Sequence, residues 1–354
     1  MLLQLNCQGY AIGQHMQPEP GKYSHGPMLE QRTFMQPEPA YYAHHPGRFV
    51  YVKDATDGAL FSAPHAPVGS PAEVFEFSAG DSDVLWRVTR DAVDVQMQVH
   101  LPADEAVELW QIVVTNRDDE TRELSIYPTF SIGYMSWMNQ SAGYDADLGG
   151  IVAACVTPYQ KLGDYPSIRT LKDSTVLLHD SAPDAWETSR VAFEGAGGIH
   201  APDAVYADTL GNGDAIYESP IASLQYRMTL APGEQRTLRF VFGPARSGDA
   251  ARHWRDRYLV AGGFEAALQQ HQQYLAEGNT RLATRTPDVQ FSEFVNHWLG
   301  RQVLYHGQLN RMTTDPQTRN FLQDAMGMTY LAPATTRAAL ITALTQQQPD
   351  GGMP

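Results

Sequence analysis

Arg319, Asn320, Gln323 and Asp324 fall at positions that a helix would stack into two adjacent columns, Arg319 over Gln323 and Asn320 over Asp324. A guanidinium, two amides and a carboxylate supply donors and acceptors at the density a polyol requires. Their neighbours Phe321, Leu322, Ala325 and Met326 are apolar, so the stripe stands out on an otherwise hydrophobic helix. A solvated intrahelical Arg–Asp pair is the plainer alternative, and it would suit polar flanks rather than these. By residue type Asp324 could act as a general acid or base. If Arg319 stands close to it, the guanidinium should favour its ionised form, which would point to binding a hydroxyl and not to donating a proton.

A second tract, Ile132-Gly133-Tyr134-Met135-Ser136-Trp137-Met138-Asn139-Gln140, mixes aromatic rings, amides and flexible methionines. Sugars present apolar C–H faces and polar rims, so Tyr134, Trp137, Asn139 and Gln140 are candidates for substrate or interface contact. A strand end with buried aromatics is the competing reading. His15, His25, His44 and His45 lie close in sequence, but none of their spacings forms a helical His-x-x-x-His site or another recognised metal motif. No metal site is expected. Cys7 and Cys155 are too few for a disulfide framework and form no Cys-x-x-Cys pattern, so both read as buried or incidental thiols. The chain has no Gly-rich phosphate loop, no Gly-x-Ser-x-Gly elbow and no dinucleotide fingerprint. Nucleotide and serine-hydrolase chemistry are therefore poorly supported.

Composition narrows the class further. At 354 residues, the chain is long enough for two or more domains with real cores. It is 43% hydrophobic and 18% charged, which are globular values. No apolar run approaches the roughly 18 to 20 residues of a membrane span. The opening Met1-Leu2-Leu3-Gln4-Leu5-Asn6 lacks the basic start of a secretory signal, so a soluble, cytoplasmic protein is expected. A formal net charge of −15 opposes attraction to nucleic acid or to anionic lipid. A substrate phosphate is still compatible, since local Arg, His and backbone N–H groups decide that at short range.

The elements that must position these residues come in two runs. Over residues 75–242, short β-rich stretches alternate with turn signals, as in Val93-Asp94-Val95-Gln96-Met97-Gln98-Val99 and Leu109-Trp110-Gln111-Ile112-Val113-Val114. These predict an antiparallel sandwich. The clearest hairpin is predicted at 225–230 and 238–242, joined through Pro232-Gly233-Glu234, where Pro presets φ and Gly tolerates positive φ. Gly243-Pro244 should close its second strand. Helices are predicted at 251–258, 264–275, 289–309, around Arg319 and at 335–344. Strands followed by helices indicate separate β and α domains. Near the front, Met16-Gln17-Pro18-Glu19-Pro20 recurs as Met35-Gln36-Pro37-Glu38-Pro39. One duplication is too little for a solenoid, and the two copies read as extended arms that edge the sandwich or reach a ligand pocket.

Together, the Pro232-Gly233-Glu234 turn, the helical link and Arg319-Asn320-Phe321-Leu322-Gln323-Asp324 followed by Gln347-Gln348-Pro349-Asp350-Gly351-Gly352 resemble the disaccharide phosphorylases of glycoside hydrolase family 94. The duplicated tract, Gly47-Arg48-Phe49-Val50-Tyr51-Val52 and Tyr134-Met135-Ser136-Trp137-Met138-Asn139-Gln140 are most similar to the cellobionic acid phosphorylases within it. The resemblance implies a multidomain β + α architecture: an N-terminal β supersandwich, a helical linker and the start of a truncated (α/α)6 barrel. Arms would occupy 1–47, the supersandwich 48–246, the linker 247–285 and the first barrel helices 286–354. In the family motif, Arg-Asp-x-x-Gln-Asp, the Arg and final Asp contact a glucosyl unit; these correspond to Arg319 and Asp324. Asn320 departs from that motif, keeping hydrogen bonding and losing one charge.

The implied reaction is a glycosyl transfer to inorganic phosphate, reversible and inverting, with no cofactor. Cellobionic acid and phosphate would give α-glucose 1-phosphate and gluconate. Only one catalytic carboxylic acid is needed, because phosphate replaces the activated water of an inverting hydrolase. The resemblance places that acid beyond Pro354, so none of the catalytic residues is expected here and the 354 residues alone should be inactive. Family members are commonly homodimers, and the same is expected of the full-length protein. Two other readings stay open: a family 94 enzyme acting on cellobiose, cellodextrins or β-1,2-oligoglucans, and a non-catalytic carbohydrate-binding module.

Overall fold

The computed structural model describes residues 2–5, 11–15, 48–80, 82–105, 107–131, 140–155, 174–218, 220–245, 247–279, 283–300, 303 and 318–353. The duplicated arms at 16–46 lie outside the described residues, as does most of the 132–140 tract. Among the described residues the chain divides into two compact units, one reaching Leu268 and one starting at Gln269.

In the first unit, a short ribbon of β1 (Leu2–Leu5) and β2 (Ala11–His15) precedes the sandwich. The sandwich strands are β3 (Arg48–Asp54), β4 (Leu60–Ala63), β5 (Val74–Ala79), β6 (Asp83–Arg90), β7 (Val93–His100), β8 (Glu108–Asn116) and β9 (Arg122–Ser131). They continue as β10 (Gln140–Asp145), β11 (Gly150–Cys155), β12 (Ser174–His179), β13 (Ala185–Ser189), β14 (Ala215–Ile216), β15 (Pro220–Leu230) and β16 (Gln235–Ala245). Nine form one sheet in the order β14-β10-β11-β12-β16-β8-β7-β6-β5, and five form a second in the order β13-β15-β9-β3-β4. Every pairing between them is antiparallel, as the alternating runs predict.

The core between the sheets follows the two-residue period of the strands. Val50 and Val52 of β3, Trp110 and Ile112 of β8, and Phe240 and Phe242 of β16 all point inward and are fully buried. The intervening residues are not left in water. Leu109, Val176, Leu178 and Val241 pack under Ala251, Trp254 and Tyr258 of α3 (Gly248–Tyr258) and Phe264 of α4 (Gly263–Asn279). On the other sheet, Phe49, Tyr51 and Tyr127 meet Phe193 of α1 (Arg190–Glu194) and Val205 of α2 (Asp203–Tyr206). Burial on both faces explains why β3 reads as a continuous run, Arg48-Phe49-Val50-Tyr51-Val52, and not as an alternation. Helix α3 begins where Ser247 caps it, its Oγ accepting from Ala250 N at 3.2 Å.

The predicted hairpin at 225–242 does not form. Strand β15 pairs with β9 and β13 in one sheet, whereas β16 pairs with β8 and β12 in the other. The turn itself is as predicted: Glu234 N donates to Ala231 O at 2.9 Å, and Gly233 has φ +74°. Its flanking strands separate because Asn116 takes up the turn's hydrogen bonds. Gly233 N donates to Asn116 O (2.9 Å), Asn116 N to Glu234 O (3.0 Å) and Asn116 Nδ2 to Leu230 O (2.9 Å). A tight turn therefore crosses from one sheet to the other. Gly243 and Pro244 also lie within β16, opposite Val176 and Thr175, instead of closing the strand.

The second unit is helical. Helix α5 (Val289–Glu293) starts at Asp288, whose Oδ1 accepts from Phe291 N at 3.0 Å, and then widens into a π-helical turn, Phe294–Leu299. A single regular helix over 289–309 is thus corrected over its described part. Within the π turn, Asn296 binds the Thr284 backbone twice, accepting from its N (2.7 Å) and donating to its O (2.8 Å). Residues 304–309 lie outside the described set. After α6 (Thr318–Met326) and α7 (Met328–Leu331) comes α8 (Pro333–Leu344), which begins two residues before its predicted start because Pro333 suits the first helical position.

Candidate functional site

The α6 helix carries the polar stripe. One turn separates Arg319 from Gln323, both exposed, and another separates Asn320 from Asp324, both half-buried. The helix is seated by Ala325, which is buried, and by a hydrogen bond from Thr336 Oγ1 of α8 to Ala325 O at 2.9 Å. Gly327 follows immediately. A Cβ there would come within 2.8 Å of Val303 Cγ1, so a residue without a side chain lets the chain pass. Four hydrogen-bonding side chains consequently share one side of a helix whose other side is anchored. Such an array can bind several hydroxyls of one sugar ring, and its cation and carboxylate can each make charge-assisted bonds.

The other tract is less accessible. Tyr134, Trp137 and Asn139 lie outside the described residues, and Gln140 opens β10 opposite Cys155, almost completely buried. Among the described residues, no group of three or more His, Cys, Asp or Glu side chains is placed to hold a metal ion. His25, His44, His45 and Cys7 are outside that set.

Sequence spacing gave no hint of two polar clusters in the sandwich, one fully buried and one partly buried. Arg48 and Glu108, both fully buried, form an ion pair that joins the sheets; Arg48 Nε donates to Glu108 Oε2 at 2.8 Å, and Arg48 Nη2 bonds the other oxygen. Trp110 Nε1 donates to the same carboxylate at 2.9 Å, and the guanidinium lies 4.6 Å from the Phe130 ring centre. These partners are 60 residues apart, beyond any local motif. Elsewhere, Tyr144 stacks on Trp186 at 4.3 Å and shares a 2.8 Å hydrogen bond with His179 Nε2. Burial pushes the His179 imidazole down to about 4, so it is neutral at physiological pH.

The two-sheet sandwich with helices against its outer faces, followed by a helical unit bearing a sugar-type stripe, narrows the class. A family model for the glycosyl hydrolase 94 supersandwich domain matches residues 39–260, and the chain belongs to that family. It is 51% identical over all 354 residues to the cellobionic acid phosphorylase of Neurospora crassa, covering 45% of that protein. Over 310 residues it is 29% identical to a 3-O-beta-D-glucopyranosyl-beta-D-glucuronide phosphorylase of Paenibacillus borealis, covering 86% of this chain and 40% of that protein. The chain thus spans less than half the length of these curated relatives. A bacterial glucoamylase solved with acarbose has a similar fold, with a TM-score of 0.53 at 9% identity over 87% of this chain and 45% of the other. No helix among the described residues is long and apolar enough to cross a membrane.

Proposed function

We propose that this chain is the sandwich, linker and opening barrel helices of a family 94 phosphorylase acting on cellobionic acid. The carrying observation is the 51% identity to a cellobionic acid phosphorylase along the whole chain. In this reading the described helices after the sandwich are the first of an (α/α)6 barrel. Arg319, Asn320, Gln323 and Asp324 hold the glucosyl unit by its hydroxyls. Tyr134, Trp137 and Asn139 are assigned to substrate or subunit contacts, whereas the burial of Gln140 within β10 gives it a structural part beside them.

The reaction follows from the chemistry of an inverting phosphorylase. A phosphate oxygen attacks the anomeric carbon on the face opposite the leaving group. The C1–O bond breaks, and a carboxylic acid delivers its proton to the departing oxygen of gluconate. That acid is assigned to the part of the relatives' length that this chain does not span. Phosphate is the second substrate, no cofactor is invoked, and the assembly is taken to be a cytoplasmic homodimer. The 354 residues alone are expected to bind sugar without turning it over.

The test is phosphate release from α-glucose 1-phosphate by the full-length protein, with gluconate, glucuronate, glucose and cellobiose offered separately. Release best with gluconate is expected. Preference for glucose or cellobiose would keep the family and overturn the acceptor, while no release with any of them would favour a non-catalytic module. Phosphorolysis by the 354-residue chain alone would overturn the placement of the catalytic acid.

A further inference from the structure

Among the described residues, the non-glycine positions with positive φ are Asp91, Ala92, Asn212 and Tyr217. Three of them have a local reason. Asp91 and Ala92 are the two-residue turn between β6 and β7, where Arg90 pairs with Val93 and the hairpin calls for positive φ at both positions. Asn212 is of a type that tolerates the left-handed region, and its N and Oδ1 bind the Trp186 backbone at 2.8 Å each. Tyr217, at φ +56°, is bulky, and for such a residue that conformation is strained.

Burial does not offset the strain. Tyr217 is 77% exposed, and Ile216 before it is 68% exposed. Among the described residues, no hydrogen bond, ion pair or ring contact engages the Tyr217 side chain. Strain retained without packing is characteristic of a side chain aimed at a ligand. Glu218 follows directly, its Oε2 accepting from Ser189 Oγ at 3.2 Å. The position in the fold is specific too. Ile216 ends β14 opposite Ser141, and Ile221 of β15 lies opposite Ser131, so Tyr217 stands where the chain passes from one sheet to the other. Ser131 and Ser141 bracket the aromatic and amide-rich tract 132–140, which makes its own passage between the sheets at the same end.

We propose that Tyr217, with Glu218 beside it, is a sugar-binding contact on the sandwich for a neutral β-linked glucan, additional to the α6 stripe. An exposed phenol ring offers its face to the apolar C–H side of a pyranose, and a carboxylate next to it accepts from the hydroxyls of the rim. Charge selects a neutral ligand. Asp214 and Glu218 flank Ile216 and Tyr217, and no lysine or arginine occurs between Arg190 and Arg227, so an anionic partner is disfavoured. The choice of a β-glucosyl ligand rests on the function proposed above, whereas the contact itself rests on Tyr217.

Calorimetric titration of cellotetraose into the 354-residue chain tests the contact. In an Asp324→Asn background, which disables the stripe, cellotetraose should still bind. Adding Tyr217→Asn should weaken that binding about tenfold and, because asparagine tolerates the left-handed region, raise the unfolding temperature by about 2–4 °C. Tyr217→Phe, which keeps the ring, should keep the affinity. A gain in stability coupled to a loss of binding is an outcome that a merely structural tyrosine would not give. Unchanged binding in Tyr217→Asn overturns the proposal, as does an equal loss in Tyr217→Phe. Binding abolished by Asp324→Asn alone would assign all of the sugar to the stripe and overturn this contact while leaving the proposed function standing. Binding lost only with Tyr217→Asn supports the contact even where Asp324→Asn leaves the rate of the full-length protein unchanged. A Tyr217→Asn variant that alters sedimentation but not cellotetraose binding would make this tip a contact between proteins, and the sugar assignment would fall.

Discussion

Arg319 and Asp324 each present a charge to any hydroxyl lying along α6, and a charge-assisted hydrogen bond contributes about 1.5–3 kcal/mol. In the full-length protein, Arg319→Ala and Asp324→Asn should therefore each lower kcat/KM by about 10- to 100-fold with little change in unfolding temperature. Rates unaffected by either substitution would remove the stripe from the sugar site. The stripe was legible because four residues make one helical turn and its members are separated by four. Its seating was not, since Thr336 and Val303 reach it from other helices.

The buried groups of the sandwich yield two more residue-scale predictions. Glu108→Ala would remove the carboxylate that pairs with the buried Arg48 guanidinium between the sheets, at a cost of about 3–5 kcal/mol. Replacing both partners by apolar residues of similar volume should cost much less in urea unfolding; equal losses would mean that the charge itself is not the source. His179 makes stability depend on pH. Its folded value is about 4 against an ordinary 6.5, so the unfolded chain binds more protons between those limits and stability falls as pH drops from about 6.5 towards 4. Across the whole window the loss approaches about 3 kcal/mol. Burial also lowers His100, which adds a loss of the same sign. Unfolding free energies at pH 7.5 and pH 5 should differ in that direction, and His179→Gln should flatten the dependence. A slope unchanged in that variant would assign it to other groups.

At the scale of elements, the turn at Ala231–Glu234 separates what local chemistry decides from what it does not. Pro232 and Gly233 set a reversal, and the reversal is present, with Gly233 at φ +74°. A hairpin and a crossing between sheets use the same turn residues, so the strands' destinations depend on their partners. Here Asn116, fully buried, binds the turn through its backbone and through Nδ2 to Leu230 O. Asn116→Ala would leave the carbonyls of Leu230 and Glu120 without that donor, destabilising the sandwich by about 1–3 kcal/mol. Gly233→Ala should cost about 1 kcal/mol through the positive φ alone. Thermal unfolding of the two variants checks both, and a larger loss for Gly233→Ala than for Asn116→Ala would contradict the ranking. The helix boundaries followed local signals better, because Ser247 and Asp288 cap from adjacent positions.

Considered as a whole molecule, the chain has one unit with thoroughly filled layers and another that leaves much of its apolar surface in water. Phe291, Phe294, Trp298, Tyr330, Leu340, Ile341 and Leu344 of the helical unit are all 44% exposed or more. Faces of that kind favour association and local opening. Limited proteolysis of the chain should consequently cut residues 286–354 early and leave the sandwich intact, as mass spectrometry of the fragments would show. Survival of the helical segment alongside the sandwich would overturn this expectation.

The amino-acid sequence by itself determined the features that depend on neighbours a few residues apart. These include the alternating β runs, the turn at Pro232-Gly233, the capped helix starts and the four-residue spacing on α6. Only the tertiary structure decided which sheet each strand joins and that Arg48 meets Glu108 across 60 residues. The physical reason is that strands have no hydrogen-bond partners within themselves. Their pairing is selected by burying both faces at once, and that selection is made among residues distant along the chain.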